Sequence, residues 1–225
     1  MKLTKNFPYL SPIVSFQTLK NVFGFDRKRP IIKYIRTRQP QRILEIGVFN
    51  GVFSERMLAE AVKRNSRIQY TGVDLFSELQ TEENYIQEVS LWADSKVNLE
   101  KKLTSGFPQA EISLLQGLSS EVLPELIGQE FDLIFIDGGH SESTVQSDWE
   151  DSQHLLAEGG MIFFDDYTNR TGVEKAGYGI RAVVDRIDNR RYRVRIFKNF
   201  DLFLHSYGLL LTRVVGVSRN SVAKL

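Results

Sequence analysis

Short apolar runs alternate along this chain with longer segments in which apolar residues recur at helical spacing. Each run spans too few residues for a helix, which is typical of a strand buried within a sheet. Five such runs predict strands: Arg42–Gly47, Ile68–Asp74, Ile112–Gly117, Phe131–Asp137 and Gly160–Asp165.

The segments between these runs predict helices. Pro30 suits the first turn of one helix, because its fixed φ angle fits there and its missing N–H is not needed. Further helices are expected over the ranges 54–64, 119–127, 141–157 and 173–188, with one or two more within 77–104. Strands that alternate with helices favour a doubly wound α/β domain whose parallel sheet is covered on both faces.

The last part of the chain has a different pattern. Tyr192–Phe197 and Leu209–Val215 are two β-rich runs with no helical segment between them. We therefore expect an antiparallel pair of strands at one edge of the sheet. The expected domain covers residues 30–215, with a helical insertion at about 77–105, an N-terminal arm or cap over 1–29 and a C-terminal tail over 216–225.

Composition excludes some kinds of chemistry. The 225 residues include no cysteine, which removes disulfides, thiolate zinc sites and cysteine nucleophiles. No apolar run reaches the ~18 residues that a membrane span needs. We expect a cytoplasmic protein with no membrane partner, and association with further copies of itself stays open.

Charge is distributed unevenly along the chain. Residues 1–42 hold ten Lys/Arg and one acid, residues 186–225 hold nine and two, and the middle holds ten and 25. Basic flanks can indicate nucleic-acid binding. We favour a solvated basic surface instead, because no interleaving of aromatic and basic residues and no nucleic-acid motif accompanies the charge.

Glycines or carboxylates end all five predicted inner strands: Gly47, Asp74, Gly117, Asp137 and Asp165. In open α/β sheets, ligands bind outside the carboxyl ends of the strands. The coincidence of five such strand ends predicts a ligand site along this rim of the sheet.

The first strand leads into a glycine-rich loop. Gly47 and Gly51 are spaced GxxxG rather than the GxGxxG that a dinucleotide pyrophosphate needs. Glu45 precedes them, which suits a ligand with a cationic ammonium group, although a plain strand-to-helix turn would have the same spacing. Asp74 follows Gly51 by 23 residues and could accept the ribose hydroxyls of a nucleoside, or could cap a helix.

Three aspartates and one histidine form a second group. Asp165 and Asp166 are adjacent at a strand end, where unpaired carboxylates would repel one another, and Asp137 ends the neighbouring strand. A divalent cation would relieve the repulsion, and oxygen ligands favour magnesium, manganese or calcium; otherwise one aspartate caps the next loop and the other is solvated. His140, in the turn after Asp137, could act as a general base or be structural.

Taken together, these segments resemble the class I S-adenosyl-L-methionine (SAM)-dependent methyltransferases, whose fold is a Rossmann-like, mostly parallel seven-stranded sheet with an antiparallel edge hairpin. ILEIGVFNGVFS resembles their glycine-rich motif and TGVDLF their ribose-binding strand end. The segment FDLIFIDGGHSESTVQSDWEDSQHLLAEGGMIFFDDY resembles the small metal-dependent O-methyltransferases of macrolide and aminocoumarin biosynthesis, such as those of the macrocin O-methyltransferase type. The similarity spans about residues 30–215.

The resemblance implies a role for each matching residue. Glu45, Gly47 and Gly51 would surround the methionine part of SAM, and Asp74 would hold the ribose. The turn containing Gly117, Leu118 and Ser119 would flank the adenine. Asp137, Asp165 and Asp166 would ligate magnesium, with Asp137 also taking part in the cofactor site and in catalysis. His140 would act as the base, whereas Glu142 departs from the tyrosine of many members.

The reaction implied is methyl transfer from SAM to a hydroxyl group of a small molecule. The metal would lower the pKa of the hydroxyl, and His140 or a metal-bound carboxylate would take its proton. Other functions stay open: an RNA methyltransferase that uses the basic termini, or a metal-dependent hydroxylase or glycosyltransferase with the same sequence pattern. The GxxxG spacing and the aspartates argue against a nicotinamide-dependent oxidoreductase, and the aspartates against a non-catalytic protein of this fold.

Overall fold

A computed structural model describes residues 26–82, 93–168, 178–205 and 208–220 of the chain. Seven strands form one sheet in the order β3-β2-β1-β4-β5-β7-β6. The strands are β1 Arg42–Ile46, β2 Ile68–Asp74, β3 Ala110–Gln116, β4 Phe131–Ile136, β5 Leu156–Thr168, β6 Tyr192–His205 and β7 Gly208–Arg219. The first five run parallel, and β7 pairs antiparallel with both β5 and β6. The predicted fold, including the antiparallel edge pair, is therefore confirmed.

Helices cover both faces of this sheet. Their bounds are α1 Arg29–Arg38, α2 Val52–Ala61, α3 Phe76–Leu79, α4 Lys96–Gly106, α5 Ser119–Glu125, α6 Glu142–Leu155 and α7 Ile180–Val184. Ser95 and Ser141 cap α4 and α6, because each hydroxyl accepts a hydrogen bond from a backbone N–H of the first turn. Within the described part of the chain, no helix has the length and apolar character needed to cross a membrane.

The apolar residues of the sheet pack into two separate cores. Along β4, Leu133 and Phe135 face the core shared with α1, α2 and α4, whereas Ile134 and Ile136 face the core shared with α5, α6 and α7. Successive side chains of a strand point to opposite faces, so an uninterrupted apolar run is what a doubly covered strand requires. This is why the inner strands could be located from their apolar residues.

Three predicted strands extend four or more residues further at one end than expected. Strand β5 begins at Leu156, directly after α6, instead of at Gly160, and continues through Thr168. Strands β6 and β7 reach well beyond Phe197 and Val215, because an irregularity in their pairing between Ile196 and Phe200 interrupts the apolar alternation without ending the strand. Parts of the predicted helices over 77–104 and 173–188 lie outside the described residues.

Candidate active site

The glycine-rich loop lies between the ends of three strands. Gly47 donates a backbone hydrogen bond to the carbonyl of Val73, 2.8 Å away, at the end of β2. Its φ angle of +91° is in the left-handed region, and a Cβ atom there would lie only 2.2 Å from the carbonyl oxygen of Asp137, just after β4. Only glycine fits both the conformation and the space, so β1 can turn tightly at this point.

The carboxylate of Asp74 fixes the shape of the same loop. Its Oδ2 accepts hydrogen bonds from the backbone N–H groups of Val48 and Phe49 at 2.7 and 2.9 Å, and its Oδ1 accepts one from Phe76 at 2.8 Å. Asp74 is not the cap residue of α3, which is Leu75, so its hydrogen bonds fix the loop rather than cap the helix. A carboxylate has about four acceptor positions, so ribose binding at the remaining one stays a prediction.

Gly117 brings a further turn to this rim. Its N–H donates to the carbonyl of Asp74 at 3.1 Å, and Leu118 and Ser119 follow at the start of α5. Gly51 lies at the other side of the loop as the residue before α2, with a φ angle of +70°. The structure thus brings together Gly47, Gly51, Asp74 and the turn after β3, which are the predicted cofactor residues other than Glu45 and Asp137.

Glu45 occupies a different environment, inside the protein. Only 1% of this residue is exposed, and its Oε2 accepts hydrogen bonds from the hydroxyls of Ser54 (2.5 Å) and Tyr70. Burial raises the pKa of Glu45 to about 7, and the two hydroxyl donors only partly oppose this. Its role beside the methionine of SAM stays a prediction, and its contacts give it a structural role.

Replacing Glu45 with glutamine is expected to make the protein more stable at pH 8. The carboxyl of Glu45 has a pKa of about 7 in the folded protein and an ordinary value of 4.5, so its contribution to the free energy of unfolding is fully present below pH 4.5 and is lost as the pH rises through 7. That loss is on the order of 3 kcal/mol. The amide oxygen of glutamine can accept the same two hydrogen bonds without a charge. Urea unfolding at pH 5 and pH 8 should therefore show that the stability of the variant relative to wild type increases with pH.

A matched control is Glu60→Gln. Glu60 is also buried, but hydrogen bonds from Arg36 and Lys63 lower its pKa to about 2. This variant should lose stability at pH 8, which is the opposite direction. A Glu45→Gln variant that is less stable than wild type at pH 8 would contradict the first expectation.

The three aspartates of the second predicted group meet at one place. Asp137, Asp165 and Asp166 each offer a carboxylate oxygen, and these oxygens lie within 4.8 Å of one another. Adjacent residues of a regular strand point to opposite faces, but the pairing of β5 with β7 is irregular between Phe164 and Tyr167, and Asp166 has a φ angle of +51°. This irregularity allows both neighbours to join Asp137, and we call the three residues the acidic cluster.

Two basic residues that precede α1 contact the acidic cluster directly. Arg27 holds Asp165 through two hydrogen bonds, from Nε at 2.6 Å and from Nη2 at 2.8 Å, and its Nη2 is also 3.2 Å from Asp166. Lys28 places its Nζ 2.5 Å from Asp137 Oδ2 and 2.9 Å from Asp165 Oδ2. We call Arg27 and Lys28 the basic pair. The repulsion expected between the carboxylates is thus relieved by the chain's own cations.

A fourth carboxylate extends this network to the edge hairpin. Asp201 of β6 is buried, and its Oδ2 accepts a hydrogen bond from Arg27 Nη1 at 2.9 Å. Asp201 lies beyond Phe197, where the predicted strand ended, and was therefore not predicted as a site residue. The basic pair was predicted only as part of a basic flank. The adjacency of Arg27 and Lys28 just before a helix was the available signal, but nothing local identifies their partners.

The surroundings of the acidic cluster shift the pKa values of Asp165 and Asp137 in opposite directions. Burial alone would raise the pKa of Asp165, but Arg27 and Lys28 hold it well below its usual range. Burial raises the pKa of Asp137 to about 8 despite Lys28, with Asp165 and Asp166 adding to the rise. Asp165 therefore stays ionised through the physiological range, while Asp137 retains a proton more easily.

His140 lies beside the acidic cluster, in the turn that follows β4. Its Nε2 is 3.3 Å from Asp166 Oδ2, and its ring is 5.4 Å from the ring of Tyr178, centre to centre. Glu142 lies apart from these groups and pairs with Arg186 at 2.6 Å on the surface. The rim therefore combines a glycine loop, an imidazole and an ion-paired group of carboxylates.

Comparisons with known proteins show a similarity in sequence to one family and in fold to solved structures. A family model described as a methyltransferase domain matches residues 44–167, which include the glycine loop, Asp74 and the acidic cluster. Among curated proteins, none matches the chain in sequence.

Solved structures of low sequence identity share the fold. An O-methyltransferase from Bacillus cereus in complex with SAH is 15% identical, with a TM-score of 0.58, covering 96% of this chain and 92% of that one. The O-methyltransferase TomG from Streptomyces achromogenes, in complex with SAM, is 14% identical, with a TM-score of 0.59 and coverage of 97% and 92%. A candidate rRNA methylase from Clostridium thermocellum is 12% identical, with a TM-score of 0.59 and coverage of 87% and 98%.

Proposed function

The chain belongs to the family of methyltransferase domains, and we propose that it transfers the methyl group of SAM to a hydroxyl group of a small molecule. The observation that carries this proposal is the glycine loop, whose shape Asp74 fixes through hydrogen bonds from Val48 and Phe49, together with the imidazole of His140 on the same rim. The bound SAH and SAM named for the Bacillus cereus protein and TomG support the choice of cofactor.

The proposed reaction needs few chemical groups from the protein. The acceptor oxygen forms a bond to the methyl carbon while the bond from that carbon to the SAM sulfur breaks, which yields a methyl ether and SAH. His140 takes the proton of the hydroxyl, and Asp166, 3.3 Å from its Nε2, orients the ring and stabilises the imidazolium. The remaining contribution is to hold the two reactants in line, and the glycine loop holds the cofactor.

Magnesium is a separate question for this site. Carboxylate oxygens are the ligands that magnesium prefers, and the acidic cluster offers three of them within 4.8 Å. In the structure, however, both oxygens of Asp165 accept hydrogen bonds from Arg27, and Lys28 lies between Asp165 and Asp137. This arrangement does not fit a divalent cation, so the proposed reaction includes no step through one, and magnesium dependence stays a prediction of the resemblance.

The acceptor is proposed only as a class. The resemblance to O-methyltransferases of natural-product biosynthesis and the role in tomaymycin synthesis stated for TomG both favour a small hydroxylated molecule. An RNA acceptor would need the basic termini as a binding surface, but Arg27 and Lys28 of the N-terminal flank are turned toward the acidic cluster. We therefore place RNA second.

Titration with SAH tests the cofactor site. We expect SAH to bind and NADH not to bind. We expect Asp74→Ala to weaken SAH binding by more than ~1 kcal/mol, or about fivefold or more, because the loop loses the carboxylate that fixes its shape and the ribose loses a hydrogen-bond acceptor. Isothermal titration calorimetry on both proteins measures this difference.

Asp132→Ala is the matched control for this experiment. Asp132 Oδ2 accepts hydrogen bonds from the backbone N–H groups of Gln41 and Arg42 at 2.8 and 2.9 Å, which is the geometry of Asp74, but at the opposite end of β1. Asp132→Ala should lower the free energy of unfolding by an amount similar to that for Asp74→Ala and leave the affinity for SAH unchanged. Equal affinities for wild type and Asp74→Ala would remove Asp74 from the cofactor site, and binding of NADH in place of SAH would contradict the proposed function.

A further inference from the structure

The chain's own cations occupy the position where a divalent cation would bridge the acidic cluster. The Lys28 ammonium contacts Asp137 Oδ2 at 2.5 Å and Asp165 Oδ2 at 2.9 Å, so it takes one oxygen from each of two carboxylates that would hold such an ion. The other oxygen of Asp165 accepts the hydrogen bond from Arg27 Nε at 2.6 Å. A metal ion at the same point would displace the ammonium or be repelled by it.

The surroundings of Lys28 suit an organic cation rather than a metal ion. Its Nζ lies 4.7 Å from the ring centre of Phe53 and 5.0 Å from that of Phe135, in addition to its two carboxylate partners. Aromatic faces attract ammonium and guanidinium groups, whereas magnesium requires oxygen ligands and keeps several water molecules. Two apolar rings beside the cation leave less room for that water.

The backbone of Lys28 is fixed at the start of a buried helix. Its carbonyl accepts hydrogen bonds from Ile31 at 3.1 Å and from Ile32 at 3.4 Å, which form the first turn of α1. Ile31 and Ile35 of α1 are 0% and 1% exposed in the core against the sheet. Moving Lys28 away with its backbone would therefore unwind the first turn of a packed helix.

From these contacts we propose that Arg27 and Lys28 supply the positive charge at the acidic cluster in place of a divalent cation, so that methyl transfer by this chain proceeds without metal. The part that concerns transfer rests on the proposed function, whereas the exclusion of metal by the basic pair does not. In this arrangement Lys28 is a positioning residue, which holds Asp137 and Asp165 together beneath the rim. The acidic cluster and His140 then act with no ion between them.

A titration with Mn²⁺ tests the exclusion of metal without any acceptor. Free Mn²⁺ measured by electron paramagnetic resonance should show no binding to wild type below ~1 mM, the weak limit of protein cation sites. Lys28→Gln should bind Mn²⁺ at least about tenfold more tightly, because it frees Asp137 Oδ2 and removes one of the two cations that contact Asp165. Lys28→Arg keeps a cation there and should behave as wild type.

Two further variants make the titration specific. Lys63→Gln removes a lysine of similar type that pairs with Glu60 and is 62% exposed, and it should leave Mn²⁺ binding unchanged. Asp165→Asn in the Lys28→Gln background should abolish the gained binding if the ion sits at the acidic cluster.

Wild-type binding of Mn²⁺ below ~1 mM that Asp165→Asn abolishes would overturn the proposal, and this measurement does not depend on the folding of Lys28→Gln. A folded Lys28→Gln protein with no gain in affinity would also overturn it. SAH calorimetry on the same samples tests the proposed function separately from the exclusion of metal. A protein that does not bind SAH would contradict the proposed methyl transfer but not the exclusion of metal by the basic pair. Once an acceptor is known, transfer should be unchanged in excess chelator, and its loss there would contradict the metal-free reaction.

Discussion

Replacing Arg27 with alanine is expected to lower the free energy of unfolding by about 3–5 kcal/mol, the range for removing one partner of a buried ion pair. The side chain of Asp165 is only 1% exposed and would lose two hydrogen bonds, and Asp201 would lose an ion pair. Urea unfolding at pH 7 measures the change. Because Arg27 helps to hold the pKa of Asp165 below its ordinary value of 3.8, the loss of stability relative to wild type should be full above that pH and shrink as the pH falls below it.

The control for this variant is Arg190→Ala. Arg190 also forms an ion pair, with Asp188 at 3.0 Å, but its side chain is 90% exposed. Exposed pairs contribute little because water and salt screen them, so the change should be much smaller than that for Arg27→Ala. If Arg27→Ala and Arg190→Ala cost the same small amount, then the buried network does not stabilise the fold as described.

A second large effect is expected for Gly47→Ala. The left-handed conformation at a φ angle of +91° costs a non-glycine residue about 1–2 kcal/mol, and a methyl group 2.2 Å from the carbonyl oxygen of Asp137 adds about 1–3 kcal/mol of overpacking. Together these predict a loss of about 2–5 kcal/mol in the free energy of unfolding. Since the strand ends must separate to admit the methyl group, SAH binding should weaken in the same variant. Thermal unfolding and calorimetry measure the two effects.

Gly128→Ala separates the cost of the left-handed backbone conformation from the cost of the close contact with Asp137. Gly128 has a similar φ angle of +100°, but a Cβ atom there would meet no atom within 4 Å. It should therefore show only the conformational cost, about 1–2 kcal/mol, and leave SAH binding unchanged. A Gly47→Ala protein no less stable than Gly128→Ala would mean that the close approach to Asp137 imposes no strain.

The sequence allowed the sheet to be predicted in more detail than the site. The inner strands could be recognised because each has a core on both of its faces. Ile134 faces one core and Phe163 the other, so such a strand is an uninterrupted apolar run that ends in a polar residue or glycine. The edge pair was predicted from the same local composition. The register irregularity that turns Asp165 and Asp166 toward one place leaves no trace in the residue types, because both positions read as an ordinary strand end.

The partners of the acidic cluster were harder still to foresee. Arg27 and Asp165 are separated by 138 positions, and a single sequence carries no information about which distant charges meet. The adjacent carboxylates indicated that a counter-charge is needed, and Arg27 and Lys28 supply one; a metal ion would satisfy the same electrostatic need, and its presence stays a prediction. Glu45 shows a similar limit, since its pattern could not reveal the hydroxyls of Ser54 and Tyr70 that hold it inside.

The bond between Arg27 and Asp201 has a consequence for the order in which the protein assembles. These residues are 174 positions apart, so Arg27 leaves the ribosome long before β6 is synthesised. The parallel strands β1 to β5 can pair before that point, but closing so long a loop is slow and comes late. A nascent chain that stops short of β6 would hold Arg27 with one carboxylate contact fewer, and its ion-paired network would be completed only when the edge hairpin joins the sheet.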